Sequence, residues 1–348
     1  MHRCLQLAAL GRGSVAPNPM VGAVLVHEGK IIGEGYHKQY GGPHAEVECI
    51  ASVKKEDHPL IHRSTLYVSL EPCAHFGKTP PCTDLIIANK IPAVVIGCRD
   101  PFHQVAGKGI FKLKEAGVEV TVGILEDESL RLNRRFFTYH TLHRPYVILK
   151  WAQTGDGRIA GEGGSRLRIS NEATNRLVHQ WRSEEMAILV GTNTALNDDP
   201  ELTTRLWPGK NPVRLVVDMD LRLPQDLKLF LSGPPTIVFN LREHRFPEGG
   251  LANLENDKVY YYQVTADVSL VQQVLHGLYH TGVQSVIVEG GAHLLQSFIE
   301  EDAWDEARII TNEEMHIGSG LPAPQLGARL PQATQKVFSD VIRTYQNK

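Results

Sequence analysis

Three metal-ligating side chains stand close together in this chain. They are His44 in Pro43-His44-Ala45-Glu46, Cys73 in Glu71-Pro72-Cys73 and Cys82 in Pro80-Pro81-Cys82. One imidazole and two thiols make a three-ligand set for zinc, and a catalytic zinc keeps three protein ligands and an open fourth position. A fold that serves this set must bring the start of one helix and two separate loop positions to one point, which constrains the first half more than any hydrophobic pattern does. Glu46 lies two residues beyond His44, inside the predicted helix start. A carboxylate there reaches a water at the metal without ligating the metal. A lone histidine is more often structural than metal-bound, and His37, His58, His62, His75 and His103 are read that way. Cys4, Cys49 and Cys98 follow no ligand pattern and read as packing residues. A closed, purely structural zinc would need a fourth protein ligand, for which His75 is the candidate; Glu46 argues against that arrangement.

The layout His-x-Glu, then Pro-Cys, then a further Cys resembles the zinc nucleobase deaminases, in which the glutamate is the general acid and base. One spacing departs from that pattern. Eight residues, not two, separate Cys73 from Cys82. The stretch from Glu71 to Cys82, with Asn18-Pro19-Met20-Val21-Gly22 upstream, resembles the deaminase half of the bifunctional riboflavin-biosynthesis deaminase/reductases. The resemblance implies that Asn18 and Asp100 meet the substrate. On residue physics alone Asn18, between Pro17 and Pro19, reads as the cap of a turn. In an extended Pro-Asn-Pro segment its amide also suits both donor and acceptor edges of a pyrimidine.

Around these motifs the first half reads as alternating strands and helices. A helix is predicted over 2–11 with Leu5, Ala8 and Ala9 inward. Strands are predicted over 21–26 and 30–36, joined by a hairpin turn at His27-Glu28-Gly29. A helix is predicted from near His44, strands over 65–69 and 93–98, and a helix through 85–88. Further on come a helix over 112–117, a strand over 118–122, a charged helix over 126–138 and a linker at 140–144. This alternation implies an α/β layer fold. The loop from Asp100 to Gly109 has Phe102-His103 where the family has Asn-Pro.

The 348 residues allow two domains with full cores. Domains are expected at 1–143, a zinc-dependent pyrimidine deaminase, and 144–348, an NADPH-dependent reductase. The fold expected is a cytidine-deaminase-like α/β/α domain followed by an α/β domain similar to dihydrofolate reductase. A net charge of −3 gives no basic footprint, which counts against action on long RNA or DNA. No apolar run approaches bilayer length, and the first residues lack a signal peptide's apolar core. Five irregularly placed cysteines read as thiols of a reducing cytoplasm. A small-molecule phosphoribosylaminopyrimidine as substrate, no nucleic-acid or membrane partner, and a homo-oligomer are expected.

The second half carries the rest of the resemblance. A strand is predicted from Tyr146 to Lys150, followed by Trp151-Ala152-Gln153-Thr154-Gly155-Asp156-Gly157. A helix is predicted from Ile169-Ser170-Asn171-Glu172 through Arg182, with Ser170 as its N-cap. Strands are predicted over 187–190, 213–218, 236–239, 285–288 and 306–311, with a helix over 269–280. The run from Gly191 to Arg205 is the most specific motif here. The resemblance implies that Gln153, Arg168, Ser170, Thr194, Asp198, Gly290 and Gly291 contact NADPH. It implies that Arg166, Arg182, Leu202, Arg205 and Glu289 contact the substrate, the arginines gripping phosphate through their bidentate forks. Taken alone, Arg182 reads as a solvated helix charge, and Asp198-Asp199 as a turn before Pro200. Where the family has Trp, this chain has Arg168, a cation placed to meet the 2′-phosphate of NADPH. From Ile317 onward a mobile tail is expected. Two rivals remain: another cytidine- or dCMP-type deaminase with a degenerate reductase half, and a zinc-stapled binding module without NADPH binding.

Overall fold

The computed structural model describes residues 1–76, 80–102 and 105–347. Of the sequence features above, Gly77, Lys78 and Thr79 in the Glu71-to-Cys82 stretch, and His103, lie outside the described residues. The chain divides into two compact units, Met1–Leu142 and His143–Lys348. Among the described residues no helix is long and apolar enough to cross a membrane.

The first unit runs α1 (His2–Ala9), β1 (Gly22–His27), β2 (Lys30–Tyr36), α2 (Ala45–Ala51), β3 (Thr65–Leu70), α3 (Cys82–Ala88), β4 (Ala93–Cys98), α4 (Lys108–Glu115), β5 (Glu119–Val122), α5 (Glu126–Leu132) and α6 (Arg134–Leu142). Its sheet has the order β2-β1-β3-β4-β5. β1 is antiparallel to β2 and β3, and β3, β4 and β5 are parallel. The two-residue side-chain period of a strand sorts the faces. Ala23 and Leu25 of β1 enter the main core with Ala45 and Cys49 of α2, Ile86 of α3 and Leu113 of α4. Val24, between them, faces the opposite side and packs with Cys4 and Leu7 of α1. The inward stripe of α1 is therefore Cys4, Leu7 and Ala8, whereas Leu5 and Ala9, expected inward, are only half-buried. The single helix expected over 126–138 is two helices broken at Asn133, whose carboxamide is spent on the Met20 backbone in both directions, at 2.8 and 2.9 Å. α6 continues to Leu142, through most of the stretch expected as a linker.

The second unit runs β6 (Tyr146–Thr154), β7 (Arg158–Ala160), α7 (Glu172–Glu184), β8 (Ala187–Gly191), α8 (Thr192–Asp198), β9 (Val213–Val217), α9 (Lys228–Leu231), β10 (Thr236–Asn240), β11 (Val259–Gln263), α10 (Leu270–His280), β12 (Ser285–Glu289), α11 (Ala292–Glu300), β13 (Glu306–Asn312), β14 (Leu321–Pro322), β15 (Ala333–Val337) and β16 (Asp340–Gln346). Nine strands form one sheet in the order β11-β10-β9-β8-β12-β6-β13-β16-β15. From β11 to β13 every pairing is parallel. The last two strands are antiparallel. Parallel strands are buried on both faces, and β6 shows it. Val147, Leu149 and Trp151 pack with α10 and α11, while Tyr146 and Ile148 pack on the other side with Ala195 of α8 and Leu229 of α9.

Two expectations fail in this unit. The N-cap of α7 is Asn171, whose side chain accepts from the Thr174 amide at 2.9 Å; Ser170 stands one residue too early to cap. The segment after Ile317 is not a mobile tail. The Ile317 and Gly318 amides donate to Asp156 at 3.2 and 2.7 Å, and β16 pairs with β13 along seven residues. Ile342 of β16 is buried against Ile310 of β13 and Val178 of α7.

Candidate functional site

In the first unit the sheet and α2 bring the three candidate ligands together. His44 has extended backbone angles and is the N-cap of α2. Cys73 follows the end of β3, and Cys82 is the first residue of α3. The ligand atoms all lie within 4.8 Å of one another. His44 Nδ1 is 3.6 Å from Cys73 Sγ and 3.3 Å from Cys82 Sγ. A nitrogen and a sulfur on one tetrahedral zinc, with bonds near 2.0 and 2.3 Å, are about 3.5 Å apart. The donor set and its spacing therefore fit zinc. Among the described residues no fourth ligand from His75 joins the set. Donation from Cys82 holds the Cys73 thiol well below its ordinary range, with the His44 imidazole adding to the effect, while the hydrogen bond with Cys73, then burial, push Cys82 up.

Glu46 is in the first turn of α2 and 3% exposed. Burial pushes its carboxyl above the usual range; the Cys73 charge adds to this and His44 opposes it. A carboxyl of that kind beside the candidate ligand set is suited to holding a proton. Asn18 lies in the same region. Its Nδ2 is 3.0 Å from His37 Nε2, and His37 Nδ1 is 2.8 Å from the Pro43 carbonyl. A carbonyl only accepts, so His37 Nδ1 carries the proton, Nε2 is a lone pair, and the Asn18 amide donates to it. That fixes which way the Asn18 carboxamide faces. His37 was read as a structural histidine, and its hydrogen bonds are structural ones, but they orient a candidate substrate residue. Its spacing seven residues before His44 carries no recognisable signal. Asp100 is 8% exposed after β4, and burial raises its carboxyl to about 7. Its Oδ1 accepts from the Phe102 amide at 2.8 Å.

The second unit holds a cleft of about 1050 Å³. It lies at the carboxyl ends of β8, β12 and β9, where open α/β sheets bind ligands. Arg166, Arg168, Ser170, Arg182, Thr194, Asp198, Leu202, Arg205, Glu289, Gly290 and Gly291 all line it. Gln153 does not line the cleft; its Oε1 accepts from the Trp151 indole at 2.8 Å. The floor is a charged triad. Arg182 Nε and Nη2 grip Glu289 as a fork, each at 2.8 Å, and Lys150 Nζ reaches the same carboxylate at 3.2 Å. Burial alone would raise the Glu289 carboxyl, but Arg182 and then Lys150 hold it at about 2. Arg182 is thus not a solvated helix charge; its side chain is 13% exposed. Two cations against one anion leave the floor net positive. Sequence reasoning missed Lys150, which looks like one polar residue in an apolar strand.

His179, one turn before Arg182, was also missed. It lines the cleft, and burial, then Arg182 and Arg205, lower its imidazole to about 4. At the mouth, Arg166 donates to the Asp198 carbonyl at 3.4 Å, and Arg168 pairs with Glu172 at 3.2 Å with its side chain 75% exposed. Leu202 adopts φ 54°, a left-handed conformation that a leucine takes only when its surroundings impose it. Gly290 has φ 100°, and a Cβ there would sit 2.9 Å from Thr194 Cγ2. The Gly290-Gly291 turn therefore leaves backbone open toward the cleft just before α11.

Known proteins match both halves. A family profile described as the RibD C-terminal domain matches residues 145–318. Another, the cytidine and deoxycytidylate deaminase zinc-binding region, matches residues 1–98. The riboflavin biosynthesis protein RibD of Aquifex aeolicus is 40% identical over 97% of this chain and 92% of its own length. That of Actinobacillus pleuropneumoniae is 37% identical over 97% and 89%. Among solved structures, the diaminohydroxyphosphoribosylaminopyrimidine deaminase/5-amino-6-(5-phosphoribosylamino)uracil reductase of Thermotoga maritima superposes with a TM-score of 0.87 at 36% identity. The match covers 99% of this chain and 97% of that one. RibD of Acinetobacter baumannii superposes at 0.86 with 29% identity and the same coverage.

Proposed function

The chain belongs to the RibD family of bifunctional riboflavin-biosynthesis deaminase/reductases, and from that premise we propose a two-step reaction for it. The first unit removes ammonia from 2,5-diamino-6-(5-phosphoribosylamino)pyrimidin-4(3H)-one. The second unit then reduces the ribosyl group to ribityl with NADPH. The observation that carries this reading is Glu46 buried beside a ligand set whose geometry fits zinc. The match of relatives along the whole chain supports it for both halves.

His44, Cys73 and Cys82 would hold the zinc, which when bound would supply a water acidic enough to be deprotonated near neutral pH. Glu46 would take the proton the water gives up and pass it to the ring nitrogen; it would then take the proton of the hydroxyl newly attached to the ring carbon and deliver it to the amine, which leaves as ammonia. Asn18, its amide anchored by His37, presents its remaining donor and acceptor to the pyrimidine edge. Asp100 binds the substrate from the loop after β4.

Thr194, Asp198 and the Gly290-Gly291 turn would hold NADPH, with Arg168 and Ser170 contributing from the neighbouring segments; Gln153, which lies outside the cleft, would not. NADPH bound there would supply hydride for the sugar C1′. The chain's part is alignment and phosphate binding. Arg182, Arg166 and Arg205 hold the substrate phosphate, with the Leu202 backbone beside it, and Glu289 keeps Arg182 and Lys150 in place. The intact triad favours a working second unit over a degenerate one. Arg168 would meet the 2′-phosphate: Arg168→Trp is expected to narrow the preference for NADPH over NADH, and an unchanged preference removes this role. The chain acts in the cytoplasm as a homo-oligomer, and a monomer mass by light scattering would remove the latter.

A coupled assay tests the whole reading. Ammonia release and NADPH loss are followed separately on the diaminopyrimidine phosphate. Both signals are expected, and Glu46→Gln keeps its zinc while losing about a thousandfold of ammonia release. Ammonia without NADPH loss would leave only the deaminase standing. Neither signal from folded, zinc-loaded protein would overturn both halves.

A further inference from the structure

We propose that Glu71 is a positioning residue of the first unit, whose buried carboxylate ties the backbone around Asp100 to the segment that carries Cys73. The proposal rests on the deaminase reading and adds a residue that touches neither metal nor substrate.

Glu71 is 4% exposed. Its carboxylate accepts four backbone amides and nothing else in the described hydrogen bonds. Oε2 takes Asp100 N at 3.3 Å and Gly107 N at 3.0 Å. Oε1 takes Gly109 N at 3.0 Å and Ile110 N at 3.2 Å. A carboxylate offers about four acceptor sites, so the group is fully engaged by the chain itself. Two of the donors are in the first turn of α4, where amides lack partners within the helix and carry partial positive charge. The approach is close from the other side too. A Cβ on Gly109 would sit 2.0 Å from the Pro72 carbonyl oxygen, which only glycine permits. The start of α4 therefore rests directly on the backbone between Glu71 and Cys73.

Cys73 has anchors of its own. The Cys82 amide donates to its sulfur at 3.3 Å. The Thr83 amide and hydroxyl both donate to its carbonyl, each at 3.2 Å. Loss of the Glu71 carboxylate therefore loosens Asp100 and the start of α4 while leaving the ligand set assembled. Asp100 keeps its own bond to the Phe102 amide but loses the hold on its backbone.

The test uses the full chain with its zinc. Glu71→Gln keeps the shape, removes the charge and turns an amide donor toward donors. Its KM for the diaminopyrimidine phosphate is expected to rise about tenfold, with kcat within about threefold. Zinc content and NADPH oxidation on the deaminated substrate stay at wild-type levels, the zinc reporting that the first unit is folded and the oxidation that the second is. Because Glu71 acts through Asp100, Glu71→Gln in an Asp100→Asn background is expected to raise KM no further. Effects that multiply in the double variant overturn the proposal. So does an unchanged KM, or zinc lost in step with activity, which would make Glu71 a support of the metal segment alone. Should Glu71→Gln also lose NADPH oxidation, Glu71→Asp, with the charge on a shorter arm, is carried through the same cycle under the same criteria. Absence of ammonia release from the wild-type chain would instead sink the deaminase reading, a separate outcome.

Discussion

Single residues carry the charge balance of both units, and the sequence shows that balance unevenly. The grouping of His44, Cys73 and Cys82 was legible because ligand chemistry is written in residue type, with the role of Glu46 implied by the resemblance. Lys150 and His179 were not, because their roles come from neighbours that only folding supplies. Glu289 shows how sharp such a role is. Replacing it with glutamine leaves Lys150 and Arg182 facing each other without a counter-charge. Glu289→Gln is expected to cost about 3–5 kcal/mol, read by urea unfolding of the second unit, because one partner of a buried ion pair is removed. His179 gives a prediction in pH. Its folded imidazole titrates at about 4, below its ordinary value of 6.5. Between those values the unfolded chain binds the proton more readily, so unfolding is favoured as pH falls and stability rises with pH across the window. In His179→Gln that contribution disappears, and stability curves of the two proteins measured between pH 4 and pH 6.5 should converge as pH rises toward 6.5. Parallel curves would show that His179 does not titrate in this way.

At the scale of elements, apolar strands such as β3, β4, β8 and β12 were found because both faces are buried and their runs are continuous. The failures have physical causes. α8 was hidden in a motif read for its polar residues. β11 was missed because Tyr260 and Tyr262 are half-exposed at the sheet edge. β15 and β16 were missed because β15 is mostly exposed and polar, and the preceding Gly- and Pro-rich stretch suggested a tail. What fixes β16 is its pairing with β13, a contact no local pattern announces. Its anchor is testable. Ile342→Ala is expected to destabilise the second unit by about 2–4 kcal/mol, the range for truncating a buried isoleucine, measured by urea denaturation. A change under half a kcal/mol would mean that β16 contributes little beyond its hydrogen bonds.

Over the whole molecule, two units carry two separate sets of chemistry. Removal of zinc by a chelator is expected to abolish ammonia release and lower the unfolding temperature of the first unit. NADPH oxidation on the deaminated substrate should persist unchanged, and its parallel loss would contradict two independent sites. The strand orders of the two sheets differ in another respect. In the first unit each parallel neighbour arrives soon after its partner in the chain. In the second, β6 opens the unit at Tyr146, yet both strands that flank it, β12 and β13, begin only at Ser285 and Glu306. At ribosomal speeds that interval lasts on the order of ten seconds. Throughout it, Tyr146-Val147-Ile148-Leu149 emerges as a sticky β-forming segment with neither edge satisfied. The nascent second unit thus holds an unpaired, aggregation-prone strand for longer than the first unit does.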